Sequence, residues 1–286
     1  MKLRSPTWVG DRANYLARTA VCCLIDEARL TPKPGLVDGR GQGVHHDLSL
    51  ALMERSAYSL GATFHALARQ SWQRPADIAL RETIGRLGRE GEQHMMQATL
   101  GVNTHRGAIW ALGLLVSAAA MHAGDSDSDE DEIAQTAALL ARLPDSKMPK
   151  VFSKGLKACH RWQVPGAREE AQQGFPHVVT QALPQLKRSR QSGANESQAR
   201  IDALMSIMAS LSDTCVLSRA GMVGLETVQN GARAVLLAGG CAHAAGRKVL
   251  ERLDKRMLAL NASPGGAADL LAATLFLDRI CQPVSR

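Results

Sequence analysis

Apolar residues return at helical spacing through nearly the whole chain. Leu16, Ala20, Cys23, Leu24 and Glu27 fall at i, i+4, i+7, i+8 and i+11, one face of a helix, so Glu27 continues an inward stripe. The segments that carry this period are rich in Ala, Leu, Met, Arg, Glu and Gln, good helix formers with little β-branching, while aromatics are only 3%. The spacing predicts helices over 11–30, 48–67, 76–98, from a Thr104 N-cap onward, and over 132–142, 147–161, 165–173, 176–187, 196–217, 221–238, 241–260 and 264–280. An all-α protein is expected, a single compact multi-helix domain over 1–286 with mostly antiparallel helices and an acidic stretch near 124–132, "GDSDSDEDE", as a solvated loop or helix lead-in. No repeat of fixed period emerges, which excludes a solenoid.

Composition narrows the partners. With 286 residues, 45% of them hydrophobic and 21% charged, the chain can bury a globular core. A net charge of +7 favours an anionic partner. No nucleic-acid-binding signature is present and few aromatics are available to stack on bases, so a polyphosphate small molecule is favoured and nucleic acid is not. The six cysteines show no paired or metal-ligand spacing and follow no secretory signal, which fits reduced thiols in a cytoplasm. The most apolar stretch, "GAIWALGLLVSAAAMHA", is interrupted by Ser117 and His122 and reads as a buried core helix, not a membrane span.

Three breaks between helices concentrate polar residues. "EARLTPKPGLVDGRGQGVHHDLSL" has the Pro and Gly of a long turn, but Lys33, Asp38, Arg40, His45, His46 and Asp47 crowd the same loop and point to a ligand site. "GVNTHRGAIW" joins a helix start to Asn103, Thr104, His105 and Arg106, which suits a phosphate as well as an ordinary cap. In "NASPGGAADLLAA", Ser263 can cap, Pro264 suits the first helical position, and Gly265 and Gly266 allow close backbone approach. A second carboxylate, Glu92, shares a helix face with Ile84, Gly88 and Met95 or Met96. The P-loop, a strand-preceded dinucleotide fingerprint, the kinase signatures and HExxH are all absent.

Taken together and in order, "EARLTPKPGLVD", "HHDLSLALMERSA", "GVNTHRGAIWALGLL", "GAREEAQQGFPHV", "LSDTCVLSRAG" and "NASPGGAADLLAATLFL" resemble the triphosphoribosyl-dephospho-CoA synthase family. The resemblance runs from about residue 20 to 278, and "TPKPGLVDGRGQG" with "TFHALARQS" looks closer to its malonate decarboxylase branch than to its citrate lyase branch.

That resemblance implies an enzyme joining ATP, as ribosyl donor, to 3′-dephospho-CoA with release of adenine. The product would pass to a holo-carrier-protein transferase that acts on the decarboxylase carrier subunit. A homodimer is compatible with the sequence. One acid would steady positive charge at the anomeric carbon or take the 2′-hydroxyl proton while another group protonates adenine; Glu27 and Glu92 are the catalytic candidates. Lys33, His105, Arg106 and Arg219 are the basic candidates for the triphosphate, and Asp38, Asp47 and Asp213 those for Mg²⁺. The chain departs from the family pattern at "HDLS", leaving Asp47 alone there for metal, and at Asp213-Thr214-Cys215, where Cys215 is expected to pack. Two other readings use the same residues: an Mg²⁺-dependent hydrolase of ADP-ribose-like glycosidic bonds, and a non-catalytic helical adaptor.

Overall fold

Thirteen α-helices are found among the described residues, which in this computed structural model are 6–123, 128–148 and 154–282. They are α1 Pro6–Arg29, α2 Leu50–Ser59, α3 Gly61–Ser71, α4 Ile78–Ala98, α5 Arg106–Met121, α6 Glu130–Arg142, α7 Lys154–Trp162, α8 Ala167–Gln172, α9 Leu183–Gln191, α10 Glu196–Met208, α11 Thr214–Leu237, α12 Ala244–Ala259 and α13 Gly265–Ile280. A π-helical turn, His177–Ala182, leads into α9, beside Pro184, which has no N–H to continue an α-helical ladder. No strand occurs among the described residues; Asp38 and Gly41 form one isolated antiparallel bridge. The all-α expectation holds.

Helix α13 packs on α1, α5 and α10, and α3 on both α1 and α5. Helices α5 and α13 are apolar nearly all round, so they sit inside the bundle. The apolar run read as a core helix is α5, buried from Ile109 through Ala120 except for Trp110. Among the described residues no helix is long and apolar enough to cross a membrane.

Several boundaries move from their predicted places. The helix expected over 48–67 is two, meeting at Leu60 beside Gly61. The helix expected over 196–217 stops at Met208, because the Asp213 side chain accepts the amides of Cys215 and Val216 and starts α11 there. The break expected before 221 is only a kink inside α11, where Gly221 has φ 64°. Of the acidic segment, residues 124–127 lie outside the described residues. Its second half is the helix lead-in: Asp129 caps Glu132 N at 2.9 Å and Glu130, Asp131 and Glu132 form the first turn of α6, where the helix dipole favours them. Residues 149–153, part of the helix predicted over 147–161, also lie outside the described residues.

The C-terminal end of α1 and the N-terminal ends of α5, α11 and α13 come together at one end of the bundle, with the 30–49 loop folded over them. Gly35 and Gly43 make that fold possible. Gly35 has φ +69° and a Cβ there would lie 2.5 Å from Ala262 O; Gly43 has φ +58° and a Cβ would lie 2.5 Å from Leu36 O. Gly35 N donates to Asp254 Oδ1 at 2.9 Å, tying the loop to α12.

Candidate active site

Pro32 and Pro34 hold the chain off helix after α1, and the turn they make sends the Lys33 side chain back to the helix it has just left. Lys33 Nζ donates to Glu27 O and Glu27 Oε1, both at 2.5 Å, and the two residues are only 2% and 3% exposed. Glu27 is on the buried face, as its spacing predicts. Lys33, expected to meet phosphate, is instead committed to this carboxylate. A buried ammonium and carboxylate are tolerated only as a pair.

Asp38 braces the turn. Its Oδ2 accepts Lys33 N at 2.8 Å, its Oδ1 accepts Arg40 N at 2.7 Å, and the Arg40 guanidinium spans Asp38 and Asp254. These bonds occupy the oxygens that were expected to hold metal.

The start of α5 lies beside this pair. His105, not Thr104, is the N-cap residue of α5, and Asn103 Oδ1 accepts Arg106 N at 3.3 Å. Thr104 Oγ1 bonds Ser56 Oγ at 2.6 Å, which bonds His105 Nδ1 at 2.7 Å. His105 is 2% exposed and its Nε2 has no hydrogen-bond partner. Burial and the Lys33 charge push its pKa down to about 4, so the imidazole is neutral.

Two further carboxylates complete the cluster. Asp213 is buried and accepts Cys215 N at 2.8 Å and Ala267 N at 2.9 Å, with Val216 and Gly266 amides beside them, so one side chain caps both α11 and α13. Burial raises its pKa against the pull of those amides. Gly265 and Gly266 do allow close approach, as expected, but to Cys215 and Asp213. Ser263 is not the cap of α13; its Oγ lies 2.8 Å from His45 Nε2.

Asp269, one turn into α13, was not singled out in the sequence. It accepts the amide of Ala108, and a Cβ at Gly107 would strike its Oδ2. Burial first, then the neighbouring charges of Glu27 and Asp213, push its pKa well above the ordinary carboxyl value, which favours the protonated form. The signal was available: Asp269 is a lone carboxylate in the apolar run "AADLLAATLFL", the same feature that marks Glu27.

The other candidates lie around the mouth. His45 takes a bond from Arg219 Nη2 to Nδ1 at 3.1 Å, and burial followed by the Arg219 charge lowers its pKa to about 4. Arg219 also reaches Asn261 Oδ1 at 3.1 Å. His46 and Asp47 are exposed. Glu92 is not buried in an apolar face: its carboxylate is 35% exposed and meets Arg106 Nε at 3.1 Å. Among the described residues no group of three His, Cys, Asp or Glu could hold a metal ion, and Asp38, Asp47 and Asp213 do not form one.

A helical bundle with a lysine-paired acid, a second acid whose pKa is pushed well up and an unpartnered imidazole gathered at one end has the form of an enzyme, not of an adaptor surface. Compared with known families, residues 13–286 match the CitG family, ATP:dephospho-CoA triphosphoribosyl transferase, and the chain belongs to it. It is 71% identical over 280 residues to the 2-(5″-triphosphoribosyl)-3′-dephosphocoenzyme-A synthase of Klebsiella pneumoniae, covering 98% of this chain and 99% of that one. It is 58% identical to a probable enzyme of the same name from Stutzerimonas stutzeri, over 96% of this chain and 94% of that one. Another enzyme so named, from Azotobacter vinelandii, is 57% identical over 94% of this chain and 92% of that one. No solved structure matches the chain.

Proposed function

We propose that the protein transfers the 5-triphosphoribosyl group of ATP to the 2′-hydroxyl of 3′-dephospho-CoA and releases adenine. The observation that carries this reading is the Glu27–Lys33 pair buried beside Asp269, whose carboxyl pKa burial pushes well up. In the reaction the glycosidic C–N bond of ATP breaks and a bond forms from the acceptor oxygen to the same anomeric carbon. Two proton movements accompany it, and the two carboxyls are split to suit them. Glu27, paired with Lys33, steadies the positive charge at the anomeric carbon and takes the 2′-hydroxyl proton. Asp269 gives a proton to the departing adenine. A proton returning from Glu27 to Asp269 restores the starting pair. His105 Nε2 offers a polar contact to a substrate oxygen in the same space.

The triphosphate is assigned to the mouth formed by Arg219, His45, Asn261 and Ser263. Magnesium is proposed to arrive with that triphosphate, since a nucleotide-borne ion needs few protein ligands, and there it would neutralise the phosphate oxygens. The proposed setting is the cytoplasm, and the proposed destination of the product is a holo-carrier-protein transferase serving the malonate decarboxylase carrier subunit. What supports that branch is the wording of "TPKPGLVDGRGQG" and "TFHALARQS". The test is a coupled assay: product supplied to the transferase should be loaded on a malonate decarboxylase carrier subunit. Loading on a citrate lyase carrier alone would overturn the branch and leave the transfer reaction standing.

A further inference from the structure

A groove runs along α4 and α5 away from the active site, and nothing in the chemistry above uses it. Ile84, Gly85 and Gly88 of α4 and Ile109, Trp110 and Gly113 of α5 line it. The Asp145 carboxylate occupies the space where a Cβ at Gly85 would be, but a Cβ at Gly88 would meet nothing within 4 Å. Glycine in a helix interior weakens the helix, so Gly88 has a cost that open space in the groove explains.

The groove also holds an unanswered donor. Arg81 is 2% exposed, its Nη1 lies 3.4 Å from Asp145 Oδ2, its guanidinium stacks 5.4 Å from the Trp110 ring centroid, and its Nε has no hydrogen-bond partner. Buried donors are almost always paired, so an acceptor brought by a ligand is missing here. Trp110 is fixed in turn, its Nε1 donating to Ala167 O at 3.1 Å.

One end of the groove lies toward the active site. Glu92 lines it and pairs with Arg106, which adjoins the Gly107 that faces Asp269. From Arg106 to Gly113 the helix rises about 10 Å. At the other end, Arg89 meets the same Asp145 Oδ2 as Arg81, at 2.7 Å.

Resting on the transfer reaction proposed above, we infer that this groove seats the pantetheine arm of 3′-dephospho-CoA, with the acceptor's diphosphate at its mouth by Arg106. The arm's chemistry matches what the groove lacks. Its amide carbonyls supply the acceptor for Arg81 Nε, its methyl-bearing carbon suits Ile84 and Ile109, and the diphosphate suits the Arg106 guanidinium. Placed so, the adenosine end of the acceptor reaches Glu27 and Asp269 while ATP enters from the Arg219 side.

The test is the Gly88→Leu variant together with pantetheine as a free probe. Filling the groove should raise the KM for dephospho-CoA by about tenfold or more and leave the KM for ATP in place, with the melting temperature kept. Pantetheine should inhibit the unaltered enzyme in competition with dephospho-CoA and not with ATP, a result that needs no variant to fold. A rise in the KM for ATP would give the groove to the donor and overturn the inference, as would unchanged KM values or pantetheine without effect. Absence of adenine release from the unaltered enzyme would instead remove the transfer reading beneath it.

Discussion

Lys33 and Glu27 neutralise each other out of water, and that pairing gives both residues a chemical use. Removing the ammonium by Lys33→Met leaves a buried carboxylate alone, which costs on the order of 3–5 kcal/mol in such sites and should also lower turnover. Glu27→Gln and Asp269→Asn should each reduce adenine release by about 10²-fold or more, read as kcat with ATP and dephospho-CoA saturating. The two acids part company in stability. Folding raises the Asp269 pKa well above the ordinary carboxyl value of 3.8, so its contribution to stability falls as pH rises past that point. Asp269→Asn should therefore melt at pH 7 no lower than the native protein while losing its activity; a large drop in melting temperature would deny that its pKa is raised. The histidines act in the opposite direction. His45 and His105 are neutral folded with values near 4 against 6.5 unfolded, so the stability they allow is present above pH 6.5 and is lost as pH falls toward 4. For His105 the loss amounts to about 3 kcal/mol across that window. Denaturant melts at pH 7, 5.5 and 4.5 should show this slope, and His105→Gln should flatten it.

At the scale of elements, one carboxylate decides where two helices begin. Asp213 accepts amides from the starts of α11 and α13, and Asp213→Ala would leave those buried donors without a partner. A loss of about 2–4 kcal/mol is expected from urea unfolding, more than a single exposed cap would cost. The same residue explains where sequence reading of the elements stopped. Helical period located α1, α4, α6, α12 and α13 to within a few residues because an apolar face repeats along each of them. It ran through 209–213 because "SIMASLSD" keeps enough apolar residues to imitate a continuing helix, and only the Asp213 side chain turning onto Cys215 N marks the restart. Thr104 and Ser263 were read as caps from residue type alone; each spends its hydroxyl on a partner distant in sequence, Ser56 and His45. Such contacts follow from tertiary packing, which local propensity does not carry.

For the molecule as a whole, the bundle interior and the site are connected through α13. Leu271, fully buried where this helix crosses the core, should cost about 2–5 kcal/mol on Leu271→Ala by thermal or urea unfolding. Two residues earlier the same helix carries Asp269, so the core fixes the acid's position. The site was legible where a polar residue broke an apolar stripe, as with Glu27, or crowded a Gly/Pro loop, as with Lys33 and His45. It was not legible where its parts meet across more than a hundred residues: Gly35 against Ala262, His45 on Ser263, Gly107 against Asp269. Glu92 shows the converse, since a carboxylate on a partly apolar face turned outward to Arg106 once α5 packed beside it. The central claim is that adenine leaves ATP only when an acceptor hydroxyl takes its place. Adenine release should be measured by chromatography from the purified protein with ATP and Mg²⁺, with and without 3′-dephospho-CoA, following the mass of the new nucleotide. The account predicts adenine only with dephospho-CoA, matched by a triphosphoribosylated product; adenine formed equally without it would mean that water is the acceptor and would contradict the account.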